Sequence, residues 1–286
     1  MSTKKALSFY GLKWNPFTED VPTNALLTTP RLDHFFWRVE NLVRDGGFAL
    51  VTGDPGTGKS TAMRMLSERI SKMRDVVVGV IQRPQSRIAD FYREIGDIFG
   101  VNLAPHNRWC GFKTLREKWK AHLDSSLLRP VLLIDEAQEA HVDVLSELRI
   151  ISSTNFDSSL LLTIVIAGDA RLQELLRKEA LVPLGSRLRA RLSLEHASRE
   201  ELRQLLEHSL AKAGNPQLMT RELIETLVEH SMGNYRVLMN TALDLFLAGA
   251  RDEKPQLDEK LFLETFQVQP ARQEANRAVV ERKGHR

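Results

Sequence analysis

Eight consecutive residues carry the densest chemical signal in this chain: Gly53, Asp54, Pro55, Gly56, Thr57, Gly58, Lys59 and Ser60, with Thr61 directly behind them. The spacing is a glycine, four residues, then Gly-Lys-Ser. Glycines let successive backbone N–H groups turn inward around an anion without a Cβ in the way. The lysine then reaches the β- and γ-phosphates of a nucleoside triphosphate, and the serine hydroxyl ligates Mg²⁺. Further along, the apolar run Val131-Leu132-Leu133-Ile134 leads straight into Asp135 and Glu136. Two adjacent carboxylates at the end of a buried strand are poor packing and good chemistry. Asp135 suits a place in the Mg²⁺ shell, and Glu136 suits a water that must be oriented or polarised. A residue that works on water points to hydrolysis rather than to phosphoryl transfer onto another substrate.

A phosphate loop works where a strand fixes its first residue and a helix N-terminus, with its partial positive charge, follows it. Residues 48–51, 76–81, 131–134 and 161–167 are short, nearly all-apolar runs that read as strands buried on both faces, with a fifth at 190–194. Amphipathic stretches at 60–72, 86–99, 112–123 and 142–152 alternate with them. That alternation predicts an α/β fold, a parallel sheet with helices on both faces. After His196 the strand signal stops, and helical segments follow near 198–213, 220–230, 235–251 and 258–266, separated by Gly214-Asn215-Pro216 and Met232-Gly233-Asn234. The expected organisation is a nucleotide-binding α/β domain over 1–196, a small helical domain over 197–268 and a mobile basic tail over 269–286.

Apolar residues make up 42% and charged residues 27% of the 286 positions. This is ordinary globular usage and excludes long disorder, collagen-like repeats and a coiled-coil rod. The longest apolar runs, 76–81 and 160–168, fall below half of the roughly 20 residues a membrane helix needs, so no membrane span is expected. Lys4 and Lys5 have no apolar stretch behind them, which predicts no secretory signal. A single cysteine, Cys110, leaves no internal disulfide and no zinc ligand set, and points to the reducing cytosol. Forty basic against 37 acidic side chains give a net charge of +3, too slight a bias to argue for a polyanionic partner by itself.

The phosphate loop, the strand-borne Asp135-Glu136, a further strand ending at Asp169, an arginine-rich segment and a helical C-terminal domain together resemble the AAA+ ATPases, over residues 8–268. Phe9-Tyr10-Gly11-Leu12 with Asn15-Pro16-Phe17, Ile134-Asp135-Glu136-Ala137-Gln138 and Gly168-Asp169-Ala170-Arg171-Leu172 are similar to the ExeA/GspA-type branch. That branch includes stand-alone helper ATPases of transposons. The resemblance implies an AAA+ P-loop NTPase core with a helical lid, and ATP and Mg²⁺ as cofactors. It places Asp169 at sensor 1, which contacts the γ-phosphate or its water, where many relatives carry Asn, Gln or Thr. Arg187 looks like the arginine finger offered to a neighbouring subunit's nucleotide, with Arg189 and Arg191 as competing choices. Arg236, in Gly233-Asn234-Tyr235-Arg236, resembles sensor 2, and residues 8–30 resemble the segment that packs beside the adenine, although the aromatics of Tyr10 to Phe17 read equally as a core staple. A finger acting in trans implies a homo-oligomer, and its head-to-tail interface closes into a ring or propagates as a filament.

What such an engine acts upon must be read from other residues. Arg83 and Arg87 in one segment, and Arg108 to Lys113 continuing to Arg116, Lys118 and Lys120 in another, concentrate positive charge that suits the backbone of double-stranded DNA. The second segment reads equally well as the solvated face of a helix. Transposition helpers of the TnsC, TniB and MuB kind line a channel around DNA with loops from this region, and Arg83, Arg87, Arg108 and Lys113 fall at loosely matching places. The leading expectation is a cytoplasmic, ATP-dependent, DNA-binding regulator of transposition. It would assemble on target DNA, recruit a transposase with or without a target-selection adaptor, and be disassembled by hydrolysis. Two alternatives share the core: a cytosolic motor of ExeA-type secretion or envelope assembly, and a clamp-loader or initiator-like replication ATPase. The expectation of a stand-alone chain without membrane anchor or wall-binding domain favours the first. Residues 271–286 are either a docking peptide for the transposase or adaptor, or a solubilising extension.

Overall fold

The computed structural model describes residues 3–81, 84–101, 108–126, 128–154 and 159–267. The chain divides into two compact units, one from Thr28 to Glu195 and the other combining the segment up to Leu27 with the chain from His196 onward. Most of segment 8–30, expected alongside the sheet, thus clusters with the helices instead.

From the N-terminus, α1 (Thr3–Tyr10) belongs to the helical unit. The sheet unit follows with α2 (Pro30–Asp45), β1 (Gly47–Gly53), α3 (Lys59–Ser71), β2 (Val78–Ile81), α4 (Ile88–Phe99), α5 (Arg108–Ser126) and β3 (Val131–Ile134). It continues through α6 (Val142–Ser152), β4 (Ser153–Thr154), β5 (Ser159–Leu160), β6 (Thr163–Gly168), α7 (Ala170–Leu176), α8 (Val182–Gly185) and β7 (Leu188–Leu194). Five strands form one sheet in the order β2-β3-β6-β1-β7, every pairing parallel. A separate antiparallel pair joins β4 to β5.

Every residue of β3 and β6 is buried, as a parallel sheet covered on both faces requires. Helices supply the cover: α2, α3 and α7 all pack on β1. At the edge, β7 alternates, with Ala190 and Leu192 inward and Arg189, Arg191 and Ser193 outward. The Arg38 guanidinium of α2 donates to the Arg189 carbonyl oxygen.

Helix boundaries follow from capping chemistry. Thr29 Oγ1 accepts the Leu32 N–H at 3.3 Å, and Pro30 fills the first turn of α2, where no N–H is needed. In the helical unit, α9 (Arg199–Ala213), α10 (Arg221–Ser231), α11 (Tyr235–Arg251) and α12 (Glu259–Gln267) follow one another. A capping box opens α9: the Ser198 hydroxyl accepts the Glu201 N–H at 3.2 Å, and the Glu201 carboxylate accepts the Ser198 N–H at 2.8 Å. Leu206, Leu210, Leu227, Leu245 and Phe246 fill the core of this unit. Tyr10 and Phe17 complete it, their rings 5.4 and 6.0 Å from that of Phe246, and the Lys13 N–H donates to the Ala213 carbonyl at 2.9 Å. Of the two readings of the Tyr10–Phe17 aromatics, the core staple is the one these contacts match. Among the described residues, no helix is long and apolar enough to cross a membrane.

Candidate functional site

Parallel strands release their C-terminal ends along one edge, and the register aligns those ends. Leu50, Ile134 and Ile166 stand in one row of the sheet. Gly53, Asp135, Glu136 and Asp169 each follow that row by one to three residues. The sequence-predicted chemistry of the sheet unit is thereby gathered at one edge by pairing alone.

The phosphate loop, between β1 and α3, is held in shape by its own atoms. Gly56 and Gly58 have φ of 85° and 92°, a left-handed backbone that side-chain-bearing residues rarely adopt. A Cβ at Gly53 would lie 2.5 Å from both the Leu194 carbonyl oxygen and Thr57 Oγ1. The Thr57 hydroxyl donates to the Asp54 carbonyl at 2.8 Å. Lys59, only 6% exposed, turns its ammonium back to the carbonyl oxygens of Gly53 and Asp54, at 2.9 and 3.1 Å. Ser60 and Thr61 lie exposed on the first turn of α3. The result is a cradle of N–H donors with a cation across it, for which phosphate oxygens are better acceptors than neutral carbonyls.

At the end of β3, Asp135 Oδ1 accepts the Glu136 N–H at 2.9 Å. Glu136 is left-handed, with φ 51° and ψ 39°, a conformation uncommon outside glycine and met at functional sites. Its carboxylate accepts a hydrogen bond from Gln138 Nε2. Gln138 is buried, and its Oε1 accepts the Asp169 N–H at 3.3 Å. Sequence reasoning gave Gln138 no role. The signal that could have found it is an amide two residues past a catalytic-type carboxylate, where a solvated loop would have no need of one.

Asp169 caps α7 through Oδ1, which accepts the Arg171 N–H at 2.9 Å. The Arg171 guanidinium grips the same carboxylate at 2.8 Å and reaches Glu139 at 2.9 Å. Hydrogen bonding from Arg171 is the main reason the Asp169 carboxyl sits below the usual Asp range; partial burial opposes it, and the nearby Lys59 charge adds to it. An ionised carboxylate has no N–H or O–H to offer a phosphate. Of the two expected sensor contacts, to the γ-phosphate or to its water, the ionised carboxylate suits the water, whose O–H it can accept.

The finger candidates lie together along the sheet edge. Arg187, half-buried just before β7, donates to the Pro183 carbonyl. Arg189 and Arg191 project from the exposed side of β7, donating to the carbonyls of Gly46 at 3.3 Å and Gly185 at 3.1 Å. Arg236 belongs to the helical unit and is exposed on the first turn of α11, its N–H bound to Asn234 Oδ1 at 3.0 Å. Gly233, with φ 84°, sharpens the preceding turn; a Cβ there would lie 2.8 Å from the Ala197 carbonyl oxygen.

Of the candidate DNA contacts, Arg83 lies outside the described residues, and Arg108 is described only as the first residue of α5; the expected tail, 269–286, also lies outside the described residues. Arg87 is exposed at the N-cap of α4. On α5, Lys113 is exposed and lies 3.8 Å from Glu117, Arg116 stacks over Phe112, and the Lys118 ammonium donates to the Gly100 carbonyl.

Residues 43–176, which contain the phosphate loop and both acids, match the AAA domain family. The sheet unit has the AAA+ P-loop NTPase fold. General secretion pathway protein A of Aeromonas hydrophila is 30% identical over 273 residues, covering 93% of this chain and 49% of that protein. The chain therefore spans about half the length of this curated relative. The ORC2 protein of Aeropyrum pernix, solved as ADPNP–ADP complexes, superposes with a TM-score of 0.68 at 16% identity, over 88% of this chain and 70% of that one. The ORC1 protein of the same organism, solved in complex with DNA, gives a TM-score of 0.65 at 16% identity, over 87% and 67% of the two chains. Likeness at this identity concerns the fold alone: an AAA+ sheet, with loop 53–60, Asp135 and Glu136 at its open edge.

Proposed function

We propose that this AAA+ protein binds and hydrolyses ATP at the β1–α3 loop and uses that cycle to govern its own assembly on double-stranded DNA, as a regulator that brings a transposase to its target. The observation that carries the nucleotide half is the buried Lys59 ammonium, held within 3.1 Å of two loop carbonyls at the start of α3. A triphosphate would take over those bonds as a charged acceptor. The Ser60 hydroxyl and the Asp135 carboxylate, hard oxygen donors, suit Mg²⁺, which when bound neutralises charge on the phosphates. Glu136 orients the attacking water and receives its proton. The helical unit would serve as a lid that brings Arg236 to the same phosphates. Arg187 from a neighbouring copy would complete the site, an addition worth on the order of 10³ or more in rate. Hydrolysis would then depend on assembly, as a ring or filament.

The DNA half draws on the exposed Arg87 at the start of α4, on the basic residues of α5, and on the fold shared with a protein solved in complex with DNA. This reading places the protein in the cytoplasm. A second reading, a motor of secretion or envelope assembly, draws on the 30% identity to general secretion pathway protein A. Binding of the purified protein to duplex DNA with ATP, ADP or a non-hydrolysable analogue, at two salt concentrations and with negative-stain imaging, separates them. Salt-sensitive, ATP-dependent binding with rings or filaments on DNA is the expected result. Intact hydrolysis without DNA binding under any nucleotide would hand the case to the second reading.

A further inference from the structure

One side chain joins the two strand ends at the hydrolytic edge. Gln138 Nε2 donates to Glu136 Oε2 beyond β3, and Gln138 Oε1 accepts the Asp169 N–H, at 3.3 Å, beyond β6. The amide is 8% exposed. It fits because residue 168 is glycine: a Cβ there would stand 2.5 Å from Gln138 Oε1. It sits in the short 3-10 turn Ala137–Glu139, which the left-handed backbone of Glu136 sets off from the strand.

We propose that Gln138 is a positioning residue for ATP hydrolysis, which aims the Glu136 carboxylate at the attacking water. The assignment rests on the reading that Glu136 activates that water. Asp169, the strand-end residue expected to serve this network, spends its carboxylate on Arg171 and on the cap of α7. Its backbone N–H is what reaches the acids of β3, and Gln138 is the relay. The relay needs a donor at one end and an acceptor at the other, which an amide provides and a carboxylate or thioether does not. Pinning one oxygen of Glu136 fixes the direction of the other.

Steady-state ATP hydrolysis, nucleotide binding and thermal melting of Gln138→Met, Gln138→Glu, Glu136→Gln and wild type test this. Gln138→Met fills the same volume without polar atoms. It should lower kcat about tenfold or more and leave nucleotide affinity within about twofold, a split that a merely structural role would not produce. Gln138→Glu, which still accepts the Asp169 N–H but repels Glu136, should lower kcat further at neutral pH, and reads the same point if the methionine variant fails to fold. Wild-type kcat in both variants, or a fall in affinity equal to the fall in kcat, overturns the assignment while the ATPase reading stands. Full turnover by Glu136→Gln refutes the role of Glu136 at the water and this assignment with it, and no turnover by wild type refutes the ATPase reading itself.

Discussion

Arg171 holds Asp169 twice, its guanidinium 2.8 Å from the carboxylate and its backbone N–H donating to the same group at 2.9 Å. The residue at the end of β6 is an anchor for α7 before it is anything else. Asparagine caps as well as aspartate, so Asp169→Asn should keep the helix start and hold ATP turnover within about threefold of wild type. Asp169→Ala should cost about 1 kcal/mol of stability. Because Arg171 lowers the folded-state pKa, the ionic part of this stabilisation is present above the ordinary Asp value of 3.8 and fades as pH falls through the lower folded value. Melting curves of wild type and Asp169→Asn should therefore converge toward acid pH. A hundredfold loss of kcat in Asp169→Asn would instead make this side chain a direct contact to phosphate or water.

Lys59→Ala removes the cation from a cradle whose carbonyls then have nothing to face. Nucleotide affinity should fall about 100-fold or more, near 3 kcal/mol, in a calorimetric titration. Unchanged affinity would refute the phosphate-loop assignment.

For the hydrolytic step, Glu136→Gln keeps shape and removes charge, so it should bind ATP normally and accumulate the ATP-bound assembly. Arg187→Ala should also bind ATP and not hydrolyse it. Mixing the two should restore turnover, because the glutamine protomer lends its intact Arg187 to an arginine-deficient neighbour whose own Glu136 is intact. If mixing fails, the finger is Arg189 or Arg191, and the same experiment with each decides.

Tyr10 links a buried hydroxyl to a glycine on α11. Among the described residues its Oη has no hydrogen-bond partner, and it lies 2.7 Å from where a Gly249 Cβ would stand. Burial, reinforced by Asp252, pushes its ionisation up to about 12. A folded pKa above the unfolded value of 10 means full stability below that pH and a progressive loss as pH rises through the folded value. Tyr10→Phe should keep the ring contact with Phe246, melt at or above the wild-type temperature at neutral pH, and flatten the alkaline decline. Gly249→Ala, whose Cβ would meet Leu257 Cδ2 at 2.3 Å, should destabilise by about 1–3 kcal/mol in a denaturant titration.

The strands of the sheet and the helices of the C-terminal unit were legible because burial on both faces and a single apolar stripe each leave a periodic trace. The run 131–134 matches β3 residue for residue. Where the trace is weak, the reading drifted: β6 starts at Thr163 and not Leu161, and β7 starts at Leu188, two residues early, because its outward arginines mask an edge strand. The helix α2 went unread although Thr29-Pro30 is a start signal, and α7 because its seven residues are too few to show a period. Phosphate loop and acids were visible as types at fixed spacing. Gln138 was not, since its role depends on a partner 31 residues away that only strand register brings near. The N-terminal aromatics were visible but their partner was not, for the same reason: Phe246 lies at the far end of the chain.

The outward side of β7 has a consequence for how copies of this chain can meet. A sheet that ends in an open strand invites another strand to pair with it, and natural sheets forestall this with charge and coverage. Here Arg189 and Arg191 line that side, and the Arg38 guanidinium already occupies the Arg189 carbonyl. One acceptor of this border is therefore already taken, and an anion that approaches it meets guanidinium groups, whose attraction weakens as salt rises.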